Sequence, residues 1–96
     1  MPSAYIIAQV DVTDPAQYEE YKKLSSAAFE AHHVDVLARG GRSETLEGNP
    51  GGRRMVVLKF ENYDKAKAYY DSPEYLKARN ARKGAAVMNM VLVEGV

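Results

Sequence analysis

The chain has 96 residues, 46% hydrophobic and 27% charged, and its 13 basic and 13 acidic side chains give a formal net charge of zero. This composition is ordinary for a single globular domain spanning residues 1–96, excludes a disordered chain, and lacks the basic excess of most nucleic-acid-binding proteins. Because the chain has no cysteine, disulfides, thiolate metal sites and a cysteine nucleophile are excluded.

The first predicted elements are a strand and a long helix. Ala4–Val12 alternates around apolar positions and is rich in β-branched residues, which is typical of a strand. Asp14 or Thr13 is suited to cap a helix, and Pro15 is suited to the first helical position, where its missing N–H costs nothing. We therefore predict a helix from Pro15 to about His32.

The middle of the chain predicts two strands and a loop. Val34–Arg39 is expected to form the second strand. Gly40-Gly41 is expected to interrupt it as a bulge or kink, after which Arg42–Glu47 resumes extended structure. The Gly-Asn-Pro-Gly-Gly run at 48–52 is the strongest loop signal in the chain. Arg53–Glu61 then predicts the third strand.

The last third of the chain predicts two helices and a final strand. Asn62 is suited to cap a short helix over residues 62–71. Ser72 is suited to cap another over 73–83, which begins with a proline at its first turn. Met88–Glu94 predicts the last strand.

The resulting order, β-α-β-β-α-β, predicts a ferredoxin-like α+β fold, with a four-stranded antiparallel sheet and its helices on one face. The other face of the sheet would be bare. If Ile6, Ala8 and Val10 pack under the helices, alternation along the first strand places the other set, Tyr5, Ile7, Gln9 and Asp11, on the bare face. A bare, partly apolar sheet face usually binds a partner, so we expect a homodimer.

Seven short runs, spread over the whole chain, carry a family resemblance: Ala4–Ala8, Val12–Pro15, Arg39–Gly41, Glu47–Gly48, Arg54–Leu58, Tyr70–Tyr75 and Val91–Gly95. Together they resemble the bacterial domain-of-unknown-function family thirteen-thirty, within the dimeric α+β barrel superfamily. The resemblance implies that two sheets, one from each subunit, face each other to form a barrel, and it implies no assigned reaction. The chain has His33-Val34 where many members carry a glycine pair, so we expect a different turn after the first helix.

One face of the first helix is the most informative feature for function. Within an arc of about 100° it carries two phenols, a hydroxyl and an imidazole among small or apolar residues: Tyr18, Tyr21, Ser25, Ala28, Phe29 and His32. A face used only for packing favours Leu, Ile and Val, so this face predicts a cavity between helix and sheet with hydrogen-bonding groups in its wall. The alternatives are that both tyrosines fill the core and that His32 merely complements the helix dipole.

The two C-terminal helices carry a second candidate surface. Its principal members are Tyr70, Tyr75 and Arg79, on a common face with Tyr63, Ala66, Ala78 and Arg82. Aromatic rings beside guanidinium groups suit the rim of a site for a planar anionic ligand. The alternative is a solvated basic helix end that complements the helix dipole.

Arg39 is a further candidate for anion binding. It precedes the glycine pair, where a kink could direct its side chain into the space between sheet and helix. Paired with Asp11 or Glu47 it would form a structural ion pair, and unpaired it would anchor an anion. The sequence leaves both possibilities open.

Several kinds of chemistry are not expected. The 48–52 run lacks the Lys-Ser/Thr pair of a phosphate-binding loop, and no histidine spacing suits a metal. A triad of Ser25, His32 and Asp11 is unsuited to catalysis because Ser25 lies in mid-helix. Haem-binding relatives in the superfamily supply an axial histidine from the second helical region, and residues 63–83 contain none, so the resemblance implies no haem. We expect no cofactor.

Location and function follow as expectations. No apolar run approaches the ~18 residues that a bilayer requires, and no charged-then-apolar leader follows Met1, so we expect a cytoplasmic protein without a membrane partner.

The leading hypothesis is a binding protein for a small aromatic or acidic metabolite. The second is a cofactor-independent enzyme, monooxygenase-like or isomerase-like, with His32 as acid or base and Arg39 or a tyrosine stabilising negative charge. The third is a structural or regulatory dimer without a ligand.

Overall fold

The computed structural model describes residues 2–48 and 54–96. Within these ranges the chain forms four strands and three helices: β1 (Ala4–Val12), α1 (Pro15–Ala31), β2 (Asp35–Arg39), β3 (Arg54–Phe60), α2 (Tyr63–Tyr70), α3 (Pro73–Ala81) and β4 (Ala86–Glu94). None of these helices is long and apolar enough to cross a membrane.

The strands form one antiparallel sheet in the order β2-β3-β1-β4. β1 is central, and its Ile7 lies opposite Val57 of β3 and Val91 of β4. The predicted α+β ferredoxin-like fold is therefore confirmed. The second helical region consists of two helices, as the two capping signals indicated.

Each helix begins at a side chain that caps it. Asp14 accepts a hydrogen bond from the backbone N–H of Gln17 at 3.2 Å, and Asn62 accepts one from that of Lys65 at 2.9 Å. Ser72 accepts from the N–H of Tyr75 at 3.2 Å. These bonds satisfy backbone donors that have no partner inside a helix, which explains why the predicted helix starts are correct.

The segment after β2 differs from the prediction. Residues 42–47 do not form a strand, and the bulge in β2 lies between Val36 and Ala38 rather than at the glycine pair. Gly40 ends the strand instead: it adopts a φ of +72° and donates its N–H to Met55 O at 2.8 Å. A left-handed residue turns the chain away from the strand direction, so the pairing does not continue. The predicted loop at 49–52 and the predicted first residue of the third strand, Arg53, lie outside the described residues.

The turn after α1 uses an unusual residue. His33 has a φ of +52°, and the next residue, Val34, donates its N–H to Phe29 O at 2.9 Å. A left-handed conformation costs a non-glycine residue roughly 1–2 kcal/mol. The chain thus keeps a tight turn at the place where the sequence departs from a glycine pair.

The core lies between the helices and one face of the sheet. Ile6, Ala8 and Val10 of β1 are buried there, as the alternation predicted. On the opposite face, Ile7 is 36% exposed, Val93 is 43% exposed and Val91 is 60% exposed. No described element of the chain covers this bare face, which we define as the surface containing Tyr5, Ile7, Val57, Val91 and Val93.

Candidate functional site

A small cavity lies between α1 and the sheet. Its volume is about 20 Å³, which is enough for about one water molecule. Fourteen described residues line it: Ala8, Tyr18, Tyr21, Lys22, Ser25, Phe29, Arg39, Arg54, Val56, Leu58, Tyr69, Tyr75, Met88 and Met90. The predicted space under the first helix therefore exists, but the tyrosines fill most of it.

Four tyrosines from three helices form the aromatic wall of the cavity. Tyr18 and Tyr21 of α1 have ring centroids 5.1 Å apart, and Tyr69 of α2 lies 4.8 Å from Tyr75 of α3. The hydroxyls of Tyr21 and Tyr75 share a hydrogen bond of 2.7 Å that links α1 to α3. In this bond one hydroxyl donates and the other accepts, so each phenol oxygen has a hydrogen-bond partner, although the O–H of the accepting phenol finds no acceptor within the pair.

The hydroxyl of Tyr69 differs from that pair. Tyr69 is 1% exposed, and its hydroxyl is buried with no hydrogen-bond partner among the residues that the structure describes. The ring itself is well packed, 5.2 Å from Phe60 and 6.0 Å from Phe29 between centroids. A buried polar group without a partner is uncommon in proteins, and here it belongs to a residue that lines the cavity.

Burial fixes the protonation state of these phenols. It raises the pKa of Tyr18, Tyr21, Tyr69 and Tyr75 above the usual value of 10.0, and for Tyr21 the neighbouring Tyr75 adds to the rise. Nearby Arg39 opposes the rise in the pKa of Tyr69. At neutral pH all four are therefore protonated. They can donate hydrogen bonds to an oxygen, but they cannot act as general bases.

Arg39 lies at the mouth of the cavity and is held there by α1. Its Nη2 donates to Ser25 Oγ and to Lys22 O, each at 3.2 Å, and its Nη1 donates to Ser26 Oγ at 2.9 Å. The guanidinium also lies 5.1 Å from the ring centroid of Phe29. In the described part of the chain no salt bridge joins Arg39 to Asp11, to Glu47 or to another carboxylate. The structural ion pair that the sequence left open does not form.

Arg54 is a second arginine at the same mouth, and the sequence analysis did not identify it. Its guanidinium lies against Gly40, so that a Cβ at Gly40 would meet Arg54 Cζ at 2.6 Å. Its Nε is buried and has no partner among the described residues. The signal was available: Arg54 shares the inward phase of β3 with Val56 and Leu58, and a charged residue at a core-facing position of a strand is unusual.

Outside the mouth lies an open depression of about 340 Å³, lined by Glu19, Lys22, Lys23, Ser26, Arg39 and Arg54. Three of these residues, Lys22, Arg39 and Arg54, also line the cavity. Lys22 forms a salt bridge of 2.8 Å with Glu19, and its hydrogen bond lowers the pKa of that carboxyl. Four cations and one carboxylate therefore surround the entrance, and no described carboxylate or histidine lines the cavity inside it.

His32 lies apart from this site. Its Nε2 is 3.6 Å from Glu74 Oε1, and its ring meets the ring of Tyr69 edge-on at 5.8 Å. His32 is not among the described residues that line the cavity. The expectation that it shares a cavity with Tyr18 and Tyr21 is wrong, because the last turn of α1 faces α3 and its Glu74 rather than the mouth. Its role as an acid or base stays an untested prediction.

Tyr70 and Arg79 form a separate pair. Arg79 Nη1 donates to Tyr70 Oη at 3.0 Å, and the guanidinium lies 4.4 Å from the ring centroid. Neither residue lines the cavity, whereas Tyr75, which the sequence grouped with them, does. In α2 the buried residues are Ala66 and Tyr69. The predicted common face thus included the buried Ala66 but took Tyr70 as its aromatic residue, and it left out Tyr69.

Comparison with known proteins identifies relatives at the level of family and fold. The family model described as "Domain of unknown function (DUF1330)" matches residues 3–96. No functionally curated protein matches the chain.

Solved structures of several proteins are similar to this chain. A protein of unknown function from Rhodopseudomonas palustris is 17% identical, with a TM-score of 0.74 over 99% of this chain and 83% of the other. A dimeric ferredoxin-like protein of unknown function from Thermobifida fusca is 19% identical, with a TM-score of 0.66 over 98% and 92%. SnoaB, a cofactor-independent oxygenase from Streptomyces nogalater, is 14% identical, with a TM-score of 0.64 over 100% and 95%. At these identities the likeness establishes the fold alone.

Proposed function

The chain belongs to the DUF1330 family, and we propose that this member is a homodimer that binds a small organic anion at the mouth of the tyrosine-lined cavity. The single observation that carries the binding proposal is the pair of arginines at that mouth. Neither Arg39 nor Arg54 forms a salt bridge with a described carboxylate.

Arginine is suited to this role because its planar guanidinium pairs with a carboxylate through two parallel hydrogen bonds. Arg39 is already positioned by its bonds to Ser25, Ser26 and the backbone of α1. Arg54 adds a second guanidinium from β3. Lys22 at the mouth is paired with Glu19, so the excess positive charge that an entering anion would meet comes from Arg39, Arg54 and Lys23.

The rest of the lining indicates what the anionic group is attached to. Behind the arginines the wall consists of aromatic rings, methionines and small aliphatic residues. Such a wall favours an apolar or aromatic body. Since the cavity itself holds about one water, the body would lie mainly in the outer depression, and a larger group would enter only as the Arg54 side chain moves aside.

The dimer proposal depends on the bare sheet face. Three apolar side chains there, Ile7, Val91 and Val93, are at least 36% exposed. Apolar patches of this kind commonly mark interfaces between proteins. The similar structure from Thermobifida fusca is described as dimeric, which supports the same assembly here.

Binding is tested by calorimetry and thermal shift with sodium benzoate as the probe. We expect saturable binding to the wild-type chain, and a loss of about tenfold or more in affinity for Arg39→Gln and for Arg54→Gln, the usual effect of removing a charged hydrogen-bond donor. Arg42→Gln is the matched control, since Arg42 is exposed and does not line the site. If benzoate does not bind, or binds all four proteins equally, the arginine mouth is not an anion site and the ligand-free dimer becomes the better hypothesis.

Assembly is tested by sedimentation equilibrium. We expect a dimer for the wild-type chain and a monomer for Val91→Lys, because a buried unpaired charge at an interface is costly. Leu76→Lys is the control, since Leu76 is an exposed leucine of α3 on the helical side. A wild-type chain that is monomeric at micromolar concentration would contradict the proposal.

A cofactor-independent enzyme is the second candidate, favoured by the similar fold of a cofactor-independent oxygenase. The four protonated phenols and two guanidinium groups could stabilise negative charge that develops on a substrate oxygen. Since neither His32 nor a carboxylate is among the described residues that line the cavity, a base inside it would be water or the substrate itself, and the carboxylate at the entrance is Glu19. Oxygen consumption that persists in His32→Ala and is lost in Arg39→Gln would support this function over simple binding.

A further inference from the structure

We infer that the ligand carries, besides its anionic group, one uncharged hydroxyl or carbonyl oxygen that enters the cavity and pairs with the hydroxyl of Tyr69. The inference rests on the binding function proposed above and specifies the chemical class of its ligand. An anion with an apolar body would satisfy the arginines alone. The second polar group, the uncharged oxygen, is inferred from Tyr69, whose buried hydroxyl has no partner among the described residues.

The reason lies in the hydrogen bonds of the cavity. The hydroxyls of Tyr21 and Tyr75 share one hydrogen bond of 2.7 Å, and Ser25 Oγ donates to Lys22 O at 3.1 Å. Tyr69 Oη, by contrast, is buried without a hydrogen-bond partner among the described residues, and the other such atom in the lining is Arg54 Nε at the mouth. A hydroxyl that is buried without a partner loses its hydrogen bonds to water, so any entering oxygen within reach gains a full hydrogen bond.

The size and polarity of the space define the entering group. A cavity of about 20 Å³ admits a single oxygen-bearing substituent rather than a second ring. Apart from the cations at its mouth, the cavity is lined largely by apolar side chains, such as Val56, Leu58 and Met90, beside which a desolvated carboxylate is costly. The charged end of the ligand therefore stays with Arg39 and Arg54, where the outer depression is open to water.

This arrangement gives the site a polarity. The anion lies with the guanidinium groups at the entrance, the apolar body lies mainly in the outer depression, and the uncharged oxygen enters the cavity that Tyr69 lines. Hydroxy and keto acids with an aromatic or compact apolar body match that sequence of groups. Specificity would come from the deep end, because a ligand without the oxygen leaves the buried hydroxyl unpaired, and such mismatches discriminate strongly.

The test measures the affinities of benzoate, 3-hydroxybenzoate and 4-hydroxybenzoate by calorimetry. In the wild-type chain we expect at least one hydroxybenzoate to bind about tenfold tighter than benzoate, the effect of one hydrogen bond to an otherwise unpaired group. In Tyr69→Phe that advantage should fall below about twofold while benzoate itself keeps its affinity. Tyr63→Phe, at a partly exposed tyrosine outside the cavity, is the control that should keep the full advantage.

The outcomes separate the two proposals. If benzoate binds in an Arg54-dependent way but neither hydroxybenzoate is tighter, or if the advantage survives in Tyr69→Phe, the inference is overturned and the anion site stands. If none of the three probes binds, the proposed function and the inference fall together. Should Tyr69→Phe not fold, Tyr69→Met, which also lacks the hydroxyl, replaces it in the same comparison.

Discussion

Replacing Tyr69 by Phe should stabilise the protein, although it removes a polar group from the interior. The substitution deletes one hydroxyl and keeps the ring, whose centroid lies 4.8 Å from that of Tyr75 and 5.2 Å from that of Phe60. The deleted hydroxyl is buried and has no described partner. Leaving such a group unsatisfied costs roughly 1–3 kcal/mol of stability in a folded protein.

The expected gain is at the lower end of that range. Removing the oxygen enlarges a cavity of about 20 Å³ slightly, and lost packing around the added space offsets part of the benefit. We expect the free energy of unfolding to rise by about 1 kcal/mol, which corresponds to an increase in Tm of about 4–8 °C for a domain of this size.

The assay is urea denaturation followed by circular dichroism, at one fixed protein concentration because the stability of a dimer depends on it. Tyr63→Phe is the control, and at a partly exposed position it should change stability by less than about 0.5 kcal/mol. If Tyr69→Phe instead lowers the free energy of unfolding, the hydroxyl has a partner, such as a water in the cavity. The physical basis of the proposed ligand oxygen would then be lost.

Three further predictions concern the same region. Tyr21→Phe breaks the 2.7 Å bond to Tyr75 and should lower the free energy of unfolding by about 1 kcal/mol. A double-mutant cycle with Tyr75→Phe should give a coupling energy of similar size. A cycle without coupling would refute that bond. Gly40→Ala should cost about 1 kcal/mol in urea denaturation, because Gly40 has a φ of +72° and its added Cβ would displace Arg54, whereas Gly41→Ala, with open space around it, should be neutral. Stability should fall as pH rises above about 10, by up to about 1.4 kcal/mol per pH unit for each of the four cavity tyrosines, since burial raises their folded-state pKa above the unfolded value. The measurement is an alkaline titration that follows tyrosinate absorbance together with circular dichroism. The chain has seven tyrosines, so ionisation of more than the three outside the cavity before the protein unfolds would contradict the last prediction.

Local signals predicted the elements well. The capping side chains of Asp14, Asn62 and Ser72 mark where the three helices begin. Each accepts a hydrogen bond from the backbone N–H three residues further along the chain. The alternation of Ala4–Val12 divided β1 into two faces, and the structure buries the one that contains Ile6, Ala8 and Val10. Such features depend on neighbours in sequence, so no tertiary information is needed to recognise them.

The predictions failed where residues distant in sequence decide the local structure, as at the end of β2. Gly40 ends its strand because its left-handed conformation turns the chain and because Arg54, from the next strand, occupies the space beside it. A glycine in a strand is compatible equally with a bulge and with an end. The sequence of β2 alone contains nothing that separates the two.

In the candidate site, too, the features set by neighbours in sequence were predicted and those set by distant residues were not. The face of α1 was predicted correctly for Tyr18, Tyr21 and Ser25, since a long helix has a well-defined phase. In the eight-residue α2, the sequence grouped Tyr70 with Ala66, whereas the structure buries Tyr69 together with Ala66. His32, at the end of α1, was assigned to the cavity although its contacts are with Glu74 and Tyr69.

The sequence by itself determined the order of elements, the buried face of the central strand and the polar character of the inner face of α1, because each is set by spacing along the chain. Only the tertiary structure decided which side chains meet at the cavity. Arg39 from β2 and Arg54 from β3 converge at one mouth through strand pairing, and Tyr69 Oη is buried at the same cavity without a hydrogen-bond partner among the described residues. Hydrogen bonds between elements depend on their relative placement, which packing of the whole domain fixes.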